Sequence, residues 1–431
     1  MSPQGRPKGE HRSAQHEGTP VSSATITDRQ RVVITGVGVV SPFGAGVPRF
    51  WQALLAGASA MRPVTGFDGT RYRSAQGGEV PAEVYGDAAA RQRCGAPLED
   101  GTYFLALAAE EALGAAGLRL PLVDPADAGA VLGTLCAGMR ALQVLCGRCD
   151  ADMPADMDVQ AATASYQLNF LCERYGLGGP SSLVSTACSS TTDALGYAFD
   201  LVRSGRCSVC LTGGGDVLAE SIHSAFNGLQ SITTTQARPF DRGRDGFFIG
   251  EGAAVLVLES LDHARQRGAP VLAEVLGYGL SNTAHHLTAT SEDGAGEALA
   301  VERALQDAGL APGQVDYINC HGTGTRHNDA SEVGAINRVF GEAAPRVRLA
   351  SNKSSFGHCM GAAGALEAVS TVLSLAHQCI PPTLNTRADE PALRSTVVVD
   401  APQSLPIRHA LTQSFGFGGA CSCVALGRYD G

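Results

Sequence analysis

The stretch LVSTACSS, residues 183–190, decides the fold of the chain. Its first part is apolar and strand-like, and the residues that follow carry apolar side chains at helical spacing, so it predicts a strand, a turn and a helix. Cys188 stands at the turn, just before the first helical residues. A strand that passes directly into a helix is typical of α/β architecture, and a cysteine at the junction is a candidate nucleophile.

The same alternation extends outward from this stretch in both directions. Further strands are predicted at residues 31–40, 128–133, 207–212, 253–258, 273–278, 315–320, 348–350 and 423–426. Helices are predicted at residues 48–56, 102–116, 190–204, 294–308, 330–340 and 364–379. Strands that alternate with helices favour an α/β fold with mostly parallel sheets that are buried on both faces.

The two halves of the chain are alike in element order, although the sequence shows no residue-level repeat. We expect residues 31–277 to form an N-terminal half that carries the nucleophile, and residues 278–431 to form a C-terminal half that carries two histidines. Residues 1–30 are polar and have no apolar period, which predicts a disordered N-terminal extension.

Bulk composition argues against several classes of protein. A length of 431 residues with 44% hydrophobic content is enough for a large core. The formal net charge of -10 argues against a nucleic-acid partner. No apolar run reaches the roughly 18 residues of a membrane span. The 13 cysteines are odd in number and mostly lie in apolar stretches, so we expect free thiols in a reducing cytoplasm.

Cys188 has two advantages as a nucleophile. The unpaired N–H groups and positive potential of a helix N-terminus favour thiolate over thiol, and a sharp turn lifts the sulfur out of the sheet. The alternative is an inert buried cysteine, as most of the other cysteines must be. The small neighbours Ala187, Ser189 and Ser190 leave space for a substrate and favour the nucleophile.

Two C-x-x-C pairs offer a different use of cysteine. Cys146 with Cys149 and Cys207 with Cys210 could together form a four-thiolate zinc site. Cys207 and Cys210 lie in a predicted strand, however, and strand alternation sends these two side chains to opposite faces. We therefore expect no metal in this protein.

Two histidines lie in glycine-rich segments of the C-terminal half. His321 opens HGTGT directly after a predicted strand, where ligands of α/β proteins bind, and this setting argues against a purely structural histidine. His358 lies in NKSSFGHCMGAAG, five residues after Lys353. The stretch around Lys353 is almost free of charge, so we expect a buried partner, and Glu367 on the following apolar helix is the candidate.

Other polar and glycine-rich positions flank these histidines. Thr323 and Thr325 place two hydroxyls at alternate positions, while Asp329 and Glu332 could orient the loop, bind a cation or simply favour a helix start. SFGFGG, residues 414–419, could be a plain turn or a phosphate cradle. Because it leads into a strand rather than a helix, a mobile loop with one aromatic residue as a lid is favoured.

Five motifs, in this order and spacing, resemble those of the β-ketoacyl-acyl-carrier-protein synthases. They are TACSS (186–190), PFDRGRDGFFIGEGA (239–253), HGTGT (321–325), NKSSFGH with GAAG (352–364) and SFGFGG (414–419). The resemblance extends from about residue 31 to residue 428. It implies a dimer with the thiolase fold, in which two similar α/β halves form a five-layered α-β-α-β-α sandwich.

The resemblance also implies a role for single residues. Cys188 would receive the acyl group as a thioester, with the backbone N–H groups of Cys188 and Phe417 as its oxyanion hole. His321 and His358 would drive malonyl decarboxylation and steady the enolate, and Lys353 would hold the electrostatics of the cavity. The other implied positions are Gly416 and Gly418 beside the gating Phe417, Thr323 and Thr325 on the pantetheine arm, Phe226 and Cys136 in the acyl pocket, and Glu367, Asp329 and Glu332 as structural support.

Some positions depart from the fatty-acid pattern. Thr283 replaces an acidic residue that is common in the second gating loop, and Ala420-Cys421 replaces the usual Thr-Asn. Cys136 replaces a larger aliphatic residue at the pocket floor, and a smaller side chain there would admit longer or stiffer chains. These departures favour polyketide or polyene synthesis over housekeeping lipid synthesis.

The resemblance thus implies an acyltransferase of the EC 2.3.1 class, an elongating ketosynthase that condenses malonyl-acyl-carrier protein with the acyl chain on Cys188 in a type II system. The alternatives are a housekeeping fatty-acid β-ketoacyl synthase II and a scaffolding or chain-length subunit; the presence of Cys188 argues against the latter. Expected partners are acyl carrier protein and a second subunit, either identical or a paralogous chain-length-factor-like chain. No organic cofactor is expected, since phosphopantetheine arrives on the carrier protein.

Overall fold

The computed structural model describes residues 30–86, 99–147, 159–291 and 293–431. The extension predicted at residues 1–30 lies almost entirely outside this part of the chain. Within it, no helix combines the length and the apolar character that a membrane crossing requires.

Strands and helices alternate along the described residues. The strands are β1 (Val32–Ser41), β2 (Gly44–Ala45), β3 (Arg62–Pro63), β4 (Gln76–Gly77), β5 (Ala128–Gly133), β6 (Ser181–Val184), β7 (Val209–Asp216), β8 (Gly252–Ser260), β9 (Ala273–Asn282), β10 (Tyr317–Asn319), β11 (Arg348–Ala350), β12 (Cys379–Ile380), β13 (Thr396–Val397), β14 (Gln403–Ser404), β15 (His409–Phe415) and β16 (Ala420–Gly427). The helices are α1 (Val47–Leu55), α2 (Asp100–Ala116), α3 (Met139–Gly147), α4 (Tyr166–Tyr175), α5 (Ser190–Arg203), α6 (Glu220–Gly228), α7 (Leu261–Gln266), α8 (Ala295–Ala308), α9 (Arg326–Phe340), α10 (Lys353–Phe356) and α11 (Ala363–His377).

Most of the strands form one mixed sheet with two similar halves. The N-terminal half has the order β6-β5-β7-β8-β1, and the C-terminal half has the order β11-β10-β15-β16-β9, with β13 beyond β11. In each half, three parallel strands are followed by two that pair antiparallel. The prediction of mostly parallel strands therefore fails at β1, β8, β9 and β16. The halves join where residues 32–34 pair with residues 273–275.

Helices form the other layers of the molecule. α5 and α11 make up the central layer, because each of them contacts strands of both half-sheets. α2 covers β1 and β8 on one outer side, and α8 covers β9 and β16 on the other. The layers therefore alternate α-β-α-β-α, as the sequence implied. The largest apolar core surrounds the central helices and includes Ala198 of α5 and Leu366 of α11.

The structure reveals a residue-level repeat that the sequence analysis missed. The first strand of each half carries a G-x-G segment, at residues 36–38 in β1 and residues 277–279 in β9. A Cβ at Gly38 would lie 2.0 Å from a carbonyl oxygen of α2, and a Cβ at Gly279 would lie 2.0 Å from a carbonyl oxygen of α8. Each outer helix thus packs directly on backbone, at a distance that only glycine permits.

One strand of the C-terminal half was not predicted from the sequence, and the predicted division of the chain falls inside another. β15 was not predicted, because Thr412, Gln413 and Ser414 interrupt its apolar pattern, yet all three are buried. The division predicted between residues 277 and 278 falls inside β9, which is one continuous strand of 10 residues. The assignment of two units with this boundary stays a prediction.

Gly38→Ala is expected to destabilise the protein, since the added Cβ would force α2 away from β1. Overpacking of this kind costs on the order of 1–3 kcal/mol. Gly114→Ala is the matched control, because a Cβ at Gly114 of α2 meets nothing within 4 Å. It should leave stability unchanged or raise it by up to about 1 kcal/mol. Thermal unfolding measures both variants, and equal midpoints would contradict the close packing.

Candidate active site

Cys188 lies at a tight turn between β6 and α5. A 3₁₀ turn spans Ala187–Ser189, and α5 begins at Ser190. Ala187 has a φ of 54°, a left-handed conformation that is strained for a residue with a side chain. The hydroxyl of Ser190 fixes the turn, because it accepts from the N–H of Thr186 at 2.9 Å and donates to the carbonyl of Ala187 at 2.6 Å. Cys188 is held there with 4% of its surface exposed.

The first turn of α5 is hydrogen-bonded to the C-terminal half of the chain. Thr191 Oγ1 donates to the carbonyl of Gly361 at 2.6 Å and accepts from the N–H of Ala365 at 2.8 Å. The hydroxyl oxygens of Thr192 and Ser414 are 2.8 Å apart. These contacts hold the cysteine turn against the GHCMGAAG loop and the SFGFGG loop.

The three side chains predicted to be catalytic converge on one point. Three side-chain atoms form a cluster in which all of them lie within 4.8 Å of one another. They are the sulfur of Cys188 and one ring nitrogen each of His321 and His358. The two imidazole rings are nearly perpendicular, at 86°, and their centroids are 5.5 Å apart. All three side chains are buried. Residues from both halves of the chain therefore form a single constellation of one thiol and two imidazoles.

Burial sets the protonation states of these groups. It raises the pKa of Cys188 to about 11, against the opposing influence of the Lys353 charge. Burial, together with the Lys353 cation, holds the pKa of His321 and of His358 well below the usual value. Both imidazoles are therefore neutral near pH 7, and each offers one N–H donor and one nitrogen lone pair.

Lys353 provides the positive charge of the site. Its ammonium donates a hydrogen bond to the carboxylate of Glu367, and both side chains are fully buried. This is the partner that the sequence suggested. Burial raises the pKa of Glu367 to about 7, although the Lys353 charge opposes the rise. The ion pair holds the ammonium where it acts on Cys188 and both histidines.

Two carboxylates orient the backbone around His321. Glu332 accepts from the N–H groups of His321 and Gly322, each at 2.7 Å. Asp329 accepts from the N–H of Gly324 at 3.1 Å. Burial raises the pKa of Glu332 to about 7 and also raises the pKa of Asp329. Protein N–H groups donate to both carboxylates, which matches the loop-orienting alternative of the sequence analysis.

The SFGFGG loop lies over the cysteine. The backbone N–H groups of Phe417 and Cys188 both lower the pKa of the Cys188 thiol, so both lie close to its sulfur. Gly416 passes so close to the cysteine turn that a Cβ there would lie 2.7 Å from a carbonyl oxygen of the turn. Gly418 has a φ of 81°, and its N–H donates to the carbonyl of Leu287 at 2.8 Å. Two converging N–H groups can stabilise an oxyanion on a bound acyl group.

A cavity of about 310 Å³ opens in front of the three catalytic candidates. Its wall includes Thr323 and Thr325, whose hydroxyl oxygens are 2.9 Å apart. It also includes Phe226 and Phe417, whose ring centroids are 5.5 Å apart. Cys136 is not part of this cavity wall but is fully buried in an apolar cluster that contains Phe226, so its place at the floor of an acyl pocket stays a prediction.

Sequence reasoning missed Asp216, the last residue of β7. Its carboxylate accepts from the N–H groups of Leu135 at 3.0 Å and Cys136 at 2.8 Å, and also from the N–H of Gly361. These hydrogen bonds join the segment that contains Cys136 to the GHCMGAAG loop. Burial raises the pKa of Asp216 to about 6. The sequence signal that could have found Asp216 is an acidic residue at the end of a buried strand.

The prediction that Cys207 and Cys210 point to opposite faces of one strand is wrong. β7 begins at Val209, so Cys207 precedes the strand, and its thiol shares a hydrogen bond with that of Cys210. This hydrogen bond lowers the pKa of Cys207 and raises the pKa of Cys210. Both cysteines are buried in the largest apolar core. Cys149, of the other pair, lies outside the described residues.

Two family models match most of the chain. The model "Beta-ketoacyl synthase, N-terminal domain" matches residues 29–264, and "Beta-ketoacyl synthase, C-terminal domain" matches residues 272–387. The chain belongs to the β-ketoacyl synthase family. This membership confirms the resemblance stated from the five motifs, and with it the assignment of the protein as a ketosynthase and acyltransferase.

Curated relatives of this ketosynthase carry two kinds of name. A Streptomyces halstedii protein named as a polyketide beta-ketoacyl synthase 1 is 39% identical over 92% of this chain and 98% of its own length. The tetracenomycin polyketide synthase ketoacyl synthase alpha subunit of Streptomyces glaucescens is 35% identical over 93% of this chain and 97% of its own length. The 3-oxoacyl-[acyl-carrier-protein] synthase 2 of Synechocystis is 33% identical over 94% of this chain and 99% of its own length.

Solved structures of ketosynthases share the fold. One of them, described as a type II polyketide acyl-carrier protein in complex with its ketosynthase bound to the hexaketide, has a TM-score of 0.84, with 32% identity over 93% of this chain and 100% of its own. The ishigamide ketosynthase/chain length factor has a TM-score of 0.82, with 34% identity and the same coverage. The thiolase-type sandwich is thereby confirmed.

Lys353→Met is expected to slow alkylation of Cys188 by iodoacetamide. The Lys353 charge lowers the thiol pKa, so its removal raises that pKa, and the thiolate fraction at pH 8 falls roughly tenfold per pKa unit. The double variant Lys353→Met/Glu367→Gln is the control, because Lys353→Met alone leaves the buried carboxyl of Glu367 without its partner. Cys188 should react slowly in the double variant as well. Peptide mass mapping across pH 7 to 10 measures the rate at Cys188. Unchanged rates in both variants would contradict the electrostatic role of Lys353.

Proposed function

We propose that this ketosynthase catalyses the decarboxylative Claisen condensation of malonyl-acyl-carrier protein with an acyl chain held on Cys188, in a type II system that elongates a polyketide or polyene chain. The observation that carries the proposal is the buried cluster of Cys188, His321 and His358 at a cavity beneath two converging N–H groups. The thiol suits the first half-reaction, in which it takes up the acyl group. The two neutral imidazoles suit the second half-reaction, in which they act on the malonyl group.

The first half-reaction is acyl transfer to Cys188. The sulfur attacks the thioester carbonyl of the acyl-carrier protein, and the phosphopantetheine thiol leaves with the proton of the cysteine. The N–H groups of Cys188 and Phe417 lie close to the sulfur, where they can donate to the oxyanion of the tetrahedral intermediate bound to it. Thr323 and Thr325 stand on the cavity wall, where their hydroxyls can hold the amides of the pantetheine arm.

The second half-reaction begins with malonyl-acyl-carrier protein. His321 and His358 are neutral, so their N–H groups donate to the thioester oxygen of the malonyl group as carbon dioxide leaves and an enolate forms. The enolate carbon attacks the Cys188 thioester, the new carbon–carbon bond forms, and the cysteine sulfur leaves. Lys353 favours the negative charge that develops at both stages.

Carrier protein and subunit partners are part of the proposal. A similar structure is described as a ketosynthase in complex with its acyl-carrier protein, and another as a ketosynthase/chain length factor pair. Among the strands of the described residues, β6 is the edge strand of its half-sheet and lies directly before the cysteine turn, so a second subunit can pair with it as a homodimer or a heterodimer. The cysteines of the described residues are free thiols, which suits a reducing cytoplasm.

The pathway is inferred from the cavity and the relatives. The cavity wall includes the apolar rings of Phe226, Phe247 and Phe417, and the names of the Streptomyces relatives refer to polyketides. The name of the Synechocystis relative instead matches a fatty-acid β-ketoacyl synthase II, which remains the second candidate. The preferred acyl group separates the two, since a housekeeping enzyme takes saturated chains over a range of lengths.

Intact-mass spectrometry after incubation with a panel of acyl-carrier proteins tests the proposal. The panel holds saturated, conjugated and β-keto acyl groups. An acyl adduct on Cys188 is expected, absent in Cys188→Ala and retained in Cys421→Ala, a second thiol of the same cavity. A preference for conjugated or β-keto chains supports the polyketide or polyene pathway. Absence of any adduct from a folded protein, alone and with its partner subunit, would contradict the nucleophile.

A further inference from the structure

The catalytic cluster has the composition of a zinc site. Cys188, His321 and His358 place one sulfur and two nitrogen atoms within 4.8 Å of one another, and among the described residues no second group of three such donors is as close. Thiolate and imidazole are the ligands that Zn²⁺ prefers, and three protein ligands with one open position define a solvent-accessible zinc site.

The geometry requires only a small contraction of the cluster. Zn–S and Zn–N bonds in a tetrahedral site place the donor atoms roughly 3.3–3.6 Å apart. The donors here are at most 4.8 Å apart, so side-chain rotations can bring them onto one ion. The 310 Å³ cavity in front of them leaves space for a water molecule at the fourth position.

The chemistry of the three donors also suits a metal ion. Each histidine offers a ring nitrogen and the cysteine a sulfur, which are atom types that bind Zn²⁺. The Nδ1 atoms of His321 and His358 are buried and have no hydrogen-bond partner among the described residues, and the rings pack against Phe415 and Phe247 respectively. The absence of a hydrogen bond to either Nδ1, and the nearby Lys353 charge, favour reversible binding over a permanent structural ion.

We propose that Zn²⁺ binds reversibly to Cys188, His321 and His358 of the free enzyme and inhibits it. The Zn–S bond forms as the thiol releases its proton to water, and no electron is transferred. An acyl group on Cys188 occupies the sulfur, so the acyl-enzyme does not bind the ion. The site is therefore sensitive to zinc only between turnovers, and acyl substrates protect it.

Spectroscopic titration of the intact protein with Co²⁺ tests the ligands directly. Tetrahedral Co²⁺ bound to a thiolate should give a sulfur-to-metal charge-transfer band and intense visible bands, and Zn²⁺ should displace it. Cys188→Ala should remove the charge-transfer band and weaken Zn²⁺ binding by at least about 100-fold. His321→Ala should weaken it by a similar factor. Cys421→Ala is the matched control and should bind Zn²⁺ as the wild type does, since Cys421 lines the cavity outside the cluster.

Alkylation provides an independent readout. Zn²⁺ should slow labelling of Cys188 by iodoacetamide, and a chelator should restore the rate. Zinc affinity that is unchanged in Cys188→Ala, or lost in Cys421→Ala, would overturn the proposal, as would labelling that is insensitive to saturating Zn²⁺. None of these measurements uses an acyl substrate, so their failure is distinguishable from failure of the proposed condensation.

Discussion

The hydrogen bonds between the first turn of α5 and the C-terminal half are the constraint on which the site depends. Thr191 bonds to the carbonyl of Gly361 and the N–H of Ala365, while Thr192 meets Ser414. The nucleophile and the histidines belong to different halves, so their relative positions depend on how these halves meet. A strained, hydrogen-bonded turn at Ala187 then fixes the sulfur relative to that junction. Rigid support of this kind positions reacting groups at low entropic cost.

Burial is the second feature that determines the chemistry of the site, and it affects the protonation of the thiol and of the imidazoles differently. It disfavours the thiolate of Cys188, which Lys353 and two N–H groups partly restore. It also keeps His321 and His358 neutral, so that they act as hydrogen-bond donors rather than as cations. Imidazole and thiol side chains that lie this close together are also good ligands for a borderline metal ion. Acyl transfer and zinc sensitivity therefore follow from one arrangement.

Much of this account was predictable from the sequence because the chemistry is carried by short motifs. Cys188 could be named as a candidate nucleophile from a strand–turn–helix pattern, and Lys353 could be paired with Glu367 since no other charge lay near it on an apolar helix. The strand β15 could not be predicted, because the side chains of Gln413 and Ser414 make their hydrogen bonds with residues that are distant in sequence. The G-x-G repeat of β1 and β9 has meaning only once the outer helices are seen against it. Asp216 was hidden for the same reason, since its donors lie in two other segments.

The central claim is that Cys188 holds the acyl chain while His321 and His358 act on the malonyl group. Parallel measurement of carbon dioxide release and of condensed product with Cys188→Gln tests it most directly, with Cys188→Gln/His358→Ala as the comparison. The account predicts that Cys188→Gln forms no condensed product yet still decarboxylates malonyl-acyl-carrier protein, and that the double variant loses decarboxylation. Condensation by Cys188→Gln, or undiminished decarboxylation by the double variant, would contradict the account.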